Sequence, residues 1–366
     1  KIDENGEVQW GDGVRLDLTE DIDFSARFSP GGNGDVNVIW ERGTFPEVDI
    51  LFQNINSNGA LSVENSLFIS SSNGYQFAPI LNGNTEEGLH AIYADQGNGS
   101  INLMVQSINS NFEPDWDNQG IQAMLGLDGD VNYTNHFKLD NQDFLLLWED
   151  NRSSKKIFGS RITNSEVIYP NGKKLTFGDN SSSETDFSTP QILKTESYVF
   201  TATFDGSSSP KFIRINKFDF DLNNIWADSG VVLNPVFDMR NAKLINTEDG
   251  IGCFWSESRG FNYDIYYQKL TNNGELSLET GGVEIITSNG DDYIMDIVNT
   301  PDGNFMIFWM EDAWPAAKLM YTKIDVDGNT EIGWNPNGNS LSNSSFDSRN
   351  LELREINDGS GVLAIW

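Results

Sequence analysis

The chain has 366 residues, enough for one large all-β domain or two ordinary ones. A hydrophobic content of 38% with 12% aromatic residues supplies a packed core and argues against a disordered chain. With 55 acidic against 23 basic residues the net charge is −32, which argues against nucleic acid or an anionic membrane surface as a partner, because their phosphates would be repelled.

From the N-terminus onward one turn-centred segment keeps returning. It reads "KIDENGEVQW" at 1, "NINSNGALSV" at 54, "SINSNFEPDW" at 107, "RITNSEVIYP" at 161, "KFDFDLNNIW" at 217, "KLTNNGELSL" at 269 and "KIDVDGNTEI" at 323. A second landmark, an apolar run closed by an aromatic, ends at Trp40, Tyr93, Trp148, Phe204, Trp255, Trp309 and Trp366. Two independent landmarks with one period of 50-odd residues define a repeat protein.

Each repeat predicts four strands, A to D. In residues 292–340, strand A is "YIMDIV", strand B "FMIFW" and strand C "KLMYTKI", with "PDGN" and "DVDGN" turns between and strand D beyond. Strand B is apolar almost throughout, the pattern of a strand covered on both faces, and Asn-Gly and Asp-Gly suit tight hairpins. Four-stranded units cannot bury both sheet faces alone, so they must pack on one another. The expected fold is all-β, a seven-bladed β-propeller of four-stranded antiparallel blades occupying residues 1–366 as a single domain. The repeats start near 24, 77, 133, 187, 239 and 293, and the seventh is split, residues 348–366 giving strands A and B and residues 1–18 giving strand D. The chain opens on Lys1 without a signal peptide and reads as a processed or partly covered product, and no apolar run is long enough to span a membrane as a helix.

The segments "WEDNR" (148–152), "WSESRG" (255–260), "DIYYQKL" (264–270) and "WADSGVV" (226–232) resemble a family of secreted bacterial propeller repeats with the pattern Trp-acid-Asp-x-Arg, Asp-Ile-Tyr-x-Gln and Trp before Gly-Val. The resemblance implies a secreted or cell-surface bacterial location, commonly reached by type IX secretion. It names no activity.

Nucleophilic triads and zinc find no support, since His90 and His136 are the only histidines and Cys253, inside "GIGCFW", is the only cysteine. The acid after each strand-B aromatic (Glu41, Asp95, Glu149, Asp205, Glu257, Glu311) recurs too regularly to mark one catalytic centre, and its expected role is to accept backbone N–H groups. In the loops between strands B and C, Trp314, Phe261, Tyr263 and Phe45 stand where most repeats are polar, and these aromatics are candidates for gripping a glycan or a protein. Where strand D hands over to strand A, one polar position recurs at Asp23, Gln76, Asn132, Asp186, Asp238, Asp292 and Asp347. That series has two readings. Each side chain caps the start of its strand, or the five carboxylates Asp23, Asp186, Asp238, Asp292 and Asp347 gather at a channel mouth and require a cation, with calcium the hard ion such oxygens suit.

The functional expectation is a non-catalytic extracellular binding or structural module that engages a protein or glycan partner on a bacterial surface. The alternatives are a carbohydrate-active enzyme, hydrolase or lyase, using paired carboxylates, and a component or cargo of a secretion complex.

Overall fold

The computed structural model describes residues 9–17, 19–84, 88–96, 101–117, 120–127, 131–139, 143–150, 156–163, 166–176, 191–205, 210–226, 230–233, 237–312, 316–341, 351–355 and 361–365. Among them the chain is all-β, with six four-stranded antiparallel sheets in which neighbours in the sheet are neighbours in sequence. These are the propeller blades that the repeat predicts. The first comprises Asp23–Pro30, Val36–Thr44, Glu47–Ile55 and Leu67–Ser70 as strands A to D, and the second Gln76–Asn84, Gly88–Asp95, Ile101–Ile108 and Ile121–Leu127. The third runs from Val131–Lys138 to Lys173–Lys174, the fourth from Gln191–Lys194 to Val231–Val232, the fifth from Met239–Thr247 to Val283–Ile286 and the sixth from Asp291–Asn299 to Asn339–Ser340. A two-stranded sheet, Glu352–Glu355 with Val362–Ile365, follows. No helix among the described residues is long and apolar enough to cross a membrane.

The chain divides into two compact units, residues 1–153 with 157–174, and residues 154–156 with 175–366. Within each unit the core lies between successive blades. In the first unit, Ile39 and Phe52 of the first blade meet Leu89 and Tyr93 of the second, and Ile92 and Val105 of the second meet Phe144 and Trp148 of the third. In the second unit, Phe204 and Ile213 of the fourth blade meet Cys253 and Trp255 of the fifth, whose Phe254 and Tyr267 meet Phe305 and Trp309 of the sixth. Each such side chain contributes roughly 1.5–3 kcal/mol by leaving water. Strand B is therefore apolar on both faces because both faces are covered.

The repeat motif has a structural explanation. The strand-C glutamines Gln53, Gln106 and Gln268 are buried, and their Nε2 atoms donate to the carbonyls of Val63, Asp117 and Glu279, each at 2.9 Å, pinning the crossing from strand C to strand D. Strand A is bulged near its start in the first, second, fifth and sixth blades, with positive φ at Ser25, Ala78 and Asn241. The residue after the strand-B aromatic of one blade bonds this bulge in the next. Glu41 Oε1 accepts the Ala78 N–H at 3.1 Å in the first unit, and Ser256 Oγ accepts the Ile294 N–H at 3.1 Å in the second.

Residues 1–8, 18, 342–350, 356–360 and 366 lie outside the described residues, and with them most of the expected pairing between the chain ends. Residues 9–17 form no strand. Trp10, Val14 and Leu16 cover Val38, Trp40, Leu51 and Ile55 of the first blade. Trp10 Nε1 approaches the Ser57 carbonyl at 3.4 Å beside Gly59, as Trp226 of the fourth blade bonds the Asn272 carbonyl at 3.1 Å beside Gly274 of the fifth.

Candidate functional site

In the first blade, strands B and C are joined through Gly43-Thr44-Phe45-Pro46-Glu47. Gly43 has φ +124°, and a side chain there would strike the Glu47 carbonyl, so glycine is what lets the turn close. The turn projects Phe45, which is 77% exposed, and the Phe45–Pro46 peptide bond is cis. Opposite it lies the entry to the second blade, "NGYQF". Tyr75 meets Phe45 edge-on at 5.7 Å between ring centroids and stacks on Phe77 at 4.7 Å. The two segments are tied together: the Val48 N–H donates to the Gly74 carbonyl, the Gly74 N–H donates to Glu47 Oε2 at 3.0 Å, and the Gln96 N–H donates to the Tyr75 carbonyl. Between them is a pocket of ≈ 340 Å³ lined by Phe45, Pro46, Glu47, Asn73, Gly74, Tyr75 and Gln96. It joins a flat aromatic wall to carboxylate, amide and phenol groups, as sites for small polar molecules do.

Three carboxyl groups stand at or near this pocket. Glu47 lines it. Asp49 follows two residues later on the same strand, hence on the same face, about 6.6 Å away at the α-carbon. Burial and the Glu47 charge hold the Asp49 carboxyl above the usual range, against the opposing pull of Arg42. Glu41 is buried and likewise raised by its burial, and burial and the Glu41 charge both raise the Tyr75 phenol. Two carboxyl groups close together, one of them held above its ordinary range by burial, are the kind of arrangement acid–base chemistry uses.

Of the other loop aromatics, the described Phe261 and Tyr263 do not line this pocket. Phe261 is fully exposed, Tyr263 packs 5.5 Å from Tyr293 with the Arg240 guanidinium over its ring, and Trp314 lies outside the described residues.

The D-to-A positions diverge from one another. Asp23 accepts from Trp40 Nε1 at 3.0 Å and from Arg42 Nε at 2.7 Å. Gln76 is buried and donates to the Ser72 carbonyl at 3.2 Å. Asp238 accepts the Lys211 N–H at 2.7 Å, and it precedes the strand, where Met239 is the residue opposite Glu257. In that blade the carboxylate has moved to strand B: Glu257 accepts from Trp255 Nε1, the Phe237 N–H and Arg259. Asp292 lies opposite Glu311, fully buried, with neither carboxylate oxygen completing a hydrogen bond. Burial, with Glu311 and Asp264 nearby, pushes it up to about 7. The side chain of Asn132 and all of Asp186 and Asp347 are outside the described residues. Among those described, no group of three His, Cys, Asp or Glu side chains is placed to hold a metal ion.

Sequence reasoning had Phe45 but not Glu47, Asp49 or Tyr75. A signal existed, two acids spaced for one strand face in "PEVD" and an aromatic pair in "GYQF", but each is a short local pattern that gains meaning only once the two segments face each other.

No protein-family model matches the chain, and no curated protein matches it. Solved structures do. The polysaccharide lyase Uly1 is 10% identical, with 96% of this chain and 86% of that one covered and a TM-score of 0.49. An ulvan lyase of polysaccharide lyase family PL25 is 12% identical over 82% of this chain and 80% of that one, with a TM-score of 0.46. An exo-β-1,3-galactanase from Bifidobacterium bifidum is 9% identical over 74% and 92%, with a TM-score of 0.39. The expectation of a non-catalytic module is corrected: these three structures are named as two polysaccharide lyases and a galactanase, while another of similar likeness is named as a peptidase. Its physical basis was narrow: Glu41 and Glu257 do accept backbone N–H groups, yet Glu47 and Asp49 lie outside that repeated position. At these identities the likeness is one of fold, and the chemistry has to come from the chain's own side chains.

Proposed function

We propose that this chain is a carbohydrate-active enzyme of the two-carboxylate, glycoside-cleaving kind, with its site at the Phe45–Tyr75 pocket. The observation that carries the reading is the joint presence of Glu47 and Asp49 on one strand face beside an exposed aromatic wall. Glycoside cleavage uses two carboxyl groups roughly 5–9.5 Å apart, one protonated and one ionised. Asp49, held above its ordinary range, serves as the acid that protonates the leaving oxygen. Glu47, oriented by the Gly74 N–H, serves as the base or nucleophile. Phe45 and Tyr75 hold the sugar ring. Export from a bacterial cell belongs to this proposal, supported by the secreted-type repeats and by the substrate class, since polysaccharides lie outside cells.

The test is release of new chain ends from a panel of polysaccharides. Glu47→Gln and Asp49→Asn are each expected to cut turnover by about 10²–10⁴-fold while leaving the melting temperature within a few degrees. No release from any glycan, or release that both substitutions leave intact, would end the proposal. Products carrying a new double bond would mark elimination rather than hydrolysis.

A further inference from the structure

We propose that the Phe45–Tyr75 pocket selects neutral glycans and rejects polyanionic ones, although the ulvan lyase among the similar folds has been described bound to a chain of glucuronate and sulfated rhamnose. The inference rests on the enzymatic reading above for the location of the site, but on different observations for its selectivity.

Charge comes first. Among the described residues Glu47 is the one carboxylate lining the pocket, and no lysine or arginine lines it. Arg42, buried on the adjacent strand, is already held between Asp17 at 2.9 Å and Asp23 at 2.7 Å. A uronate or sulfate entering this pocket would meet Glu47, with Asp49 and Glu41 close behind, and find no partner for its own charge. Recognising sulfate or carboxylate calls for arginine forks or lysine ammonium groups. The net charge of −32 adds a long-range barrier to any acidic polymer.

Shape comes second. Phe45 is 77% exposed, and its orientation is fixed because Tyr75 meets it at a steep angle and is itself stacked on Phe77. A pyranose with its C–H groups on one side covers such a ring and loses apolar surface from water. Its hydroxyls then point to the rim, where the Asn73 and Gln96 amides, the Tyr75 phenol and the Glu47 carboxylate both donate and accept. Glu47 can accept from a sugar hydroxyl and cannot accept from a sulfate. Neutral glycans and amino sugars meet these demands.

The experiment uses the whole chain carrying Asp49→Asn, so that a bound glycan is not consumed while the Glu47 charge at the pocket is kept. Its migration is measured in gels containing neutral polymers (β-glucan, galactan, xylan, mannan) or polyanions (ulvan, pectate, alginate), at ~10 mM salt, where screening is weak. At least one neutral polymer is expected to retard it and no polyanion to do so. Adding Phe45→Ala should weaken that retardation about tenfold or more. Retardation by polyanions alone, by nothing, or undiminished in Phe45→Ala overturns the inference. The two readings fail separately. A chain that cleaves a polyanion keeps its enzymatic assignment and loses this one, whereas a chain that binds neutral glycan through Phe45 and cleaves none keeps this one alone.

Discussion

The first and sixth blades place an aspartate at the same point of the same strand and surround it in opposite ways. In the first, Asp23 lies opposite Arg42, and the Trp40 indole completes a set of donors for the carboxylate. In the sixth, Asp292 lies opposite Glu311, buried, with no completed hydrogen bond. Burial raises Asp292 to about 7, whereas in the first blade hydrogen bonds to Asp23 and Asp17 raise Arg42, and against its burial the Thr19 N–H and then Arg42 pull Asp17 down to about 2. One backbone site thus yields an ion pair in one blade and a buried carboxyl held above its ordinary range in another. The repeat dictates that a polar group stand here near the strand-B indole, and it leaves the charge to the partner two residues beyond that aromatic: Arg42, Asp95, Glu257 or Glu311.

The sharpest way to break the contrast is to remove the cation. Arg42→Met leaves Asp17 and Asp23 facing each other without their shared partner, and Arg42 is buried. Breaking a fully buried pair costs about 3–5 kcal/mol. Asp23 is partly exposed, so a loss of about 2–3 kcal/mol is expected in denaturant unfolding at neutral pH. Restoring Met or Leu at position 23 in the same chain should recover most of it. A loss below about 0.5 kcal/mol, the scale of a surface pair, would show that the ion pair is only ornamental to the blade.

In the sixth blade the expected change runs the other way. The Asp292 carboxyl binds its proton more tightly folded, near 7, than unfolded, near 3.8. Between those values the native state therefore holds more protons than the unfolded chain, so stability falls as pH rises from about 4 to 7 and the contribution is gone above that window. Asp292→Asn removes the ionisation. Its free energy of unfolding should match the parent's near pH 4 and exceed it at pH 8, by an amount on the order of 2 kcal/mol after relaxation of the site. Equal melting curves at both pH values would mean that Asp292 finds a partner in solution, a bound cation among them. Repeating the pH 8 measurement with calcium and with chelator separates those two cases.

These sites also show what the sequence could and could not disclose. The blades were legible because their signals are redundant: Trp40, Trp148, Trp255 and Trp309 recur at whole numbers of one period, as do Gln53, Gln106 and Gln268, and each is locked by packing or by the same hydrogen bond. Asp238 was misaligned by one residue, because the polar letter lies before the strand and Met239 takes the paired place. A bulge follows that point in several blades, and one-residue slips are what bulges conceal. The site was legible only in Phe45. Glu47, Asp49 and Tyr75 became partners through the Val48–Gly74 and Gly74–Glu47 bonds between neighbouring blades, a juxtaposition of segments more than 20 residues apart that no local pattern records.

The smallest expected effect concerns two phenylalanines that the sequence treats alike. Phe45 and Phe261 both stand in loops from strand B to strand C, and both are exposed. Phe45 has Tyr75 against its edge and Glu47 beside it, while Phe261 has no aromatic neighbour within ring-contact distance and borders no pocket among the described residues. An aromatic that leaves little apolar surface when a ligand arrives, and has no polar groups around it to orient that ligand, gains little from contact. Phe261→Ala should therefore change unfolding stability by less than about 0.5 kcal/mol and leave glycan retardation unchanged, in the same gels where Phe45→Ala reduces it. If Phe261→Ala weakens retardation as much as Phe45→Ala does, exposure alone governs binding. The bracing of Phe45 by Tyr75 then carries no functional weight, and the fifth-blade loop has to be counted as a second place where the chain holds sugar.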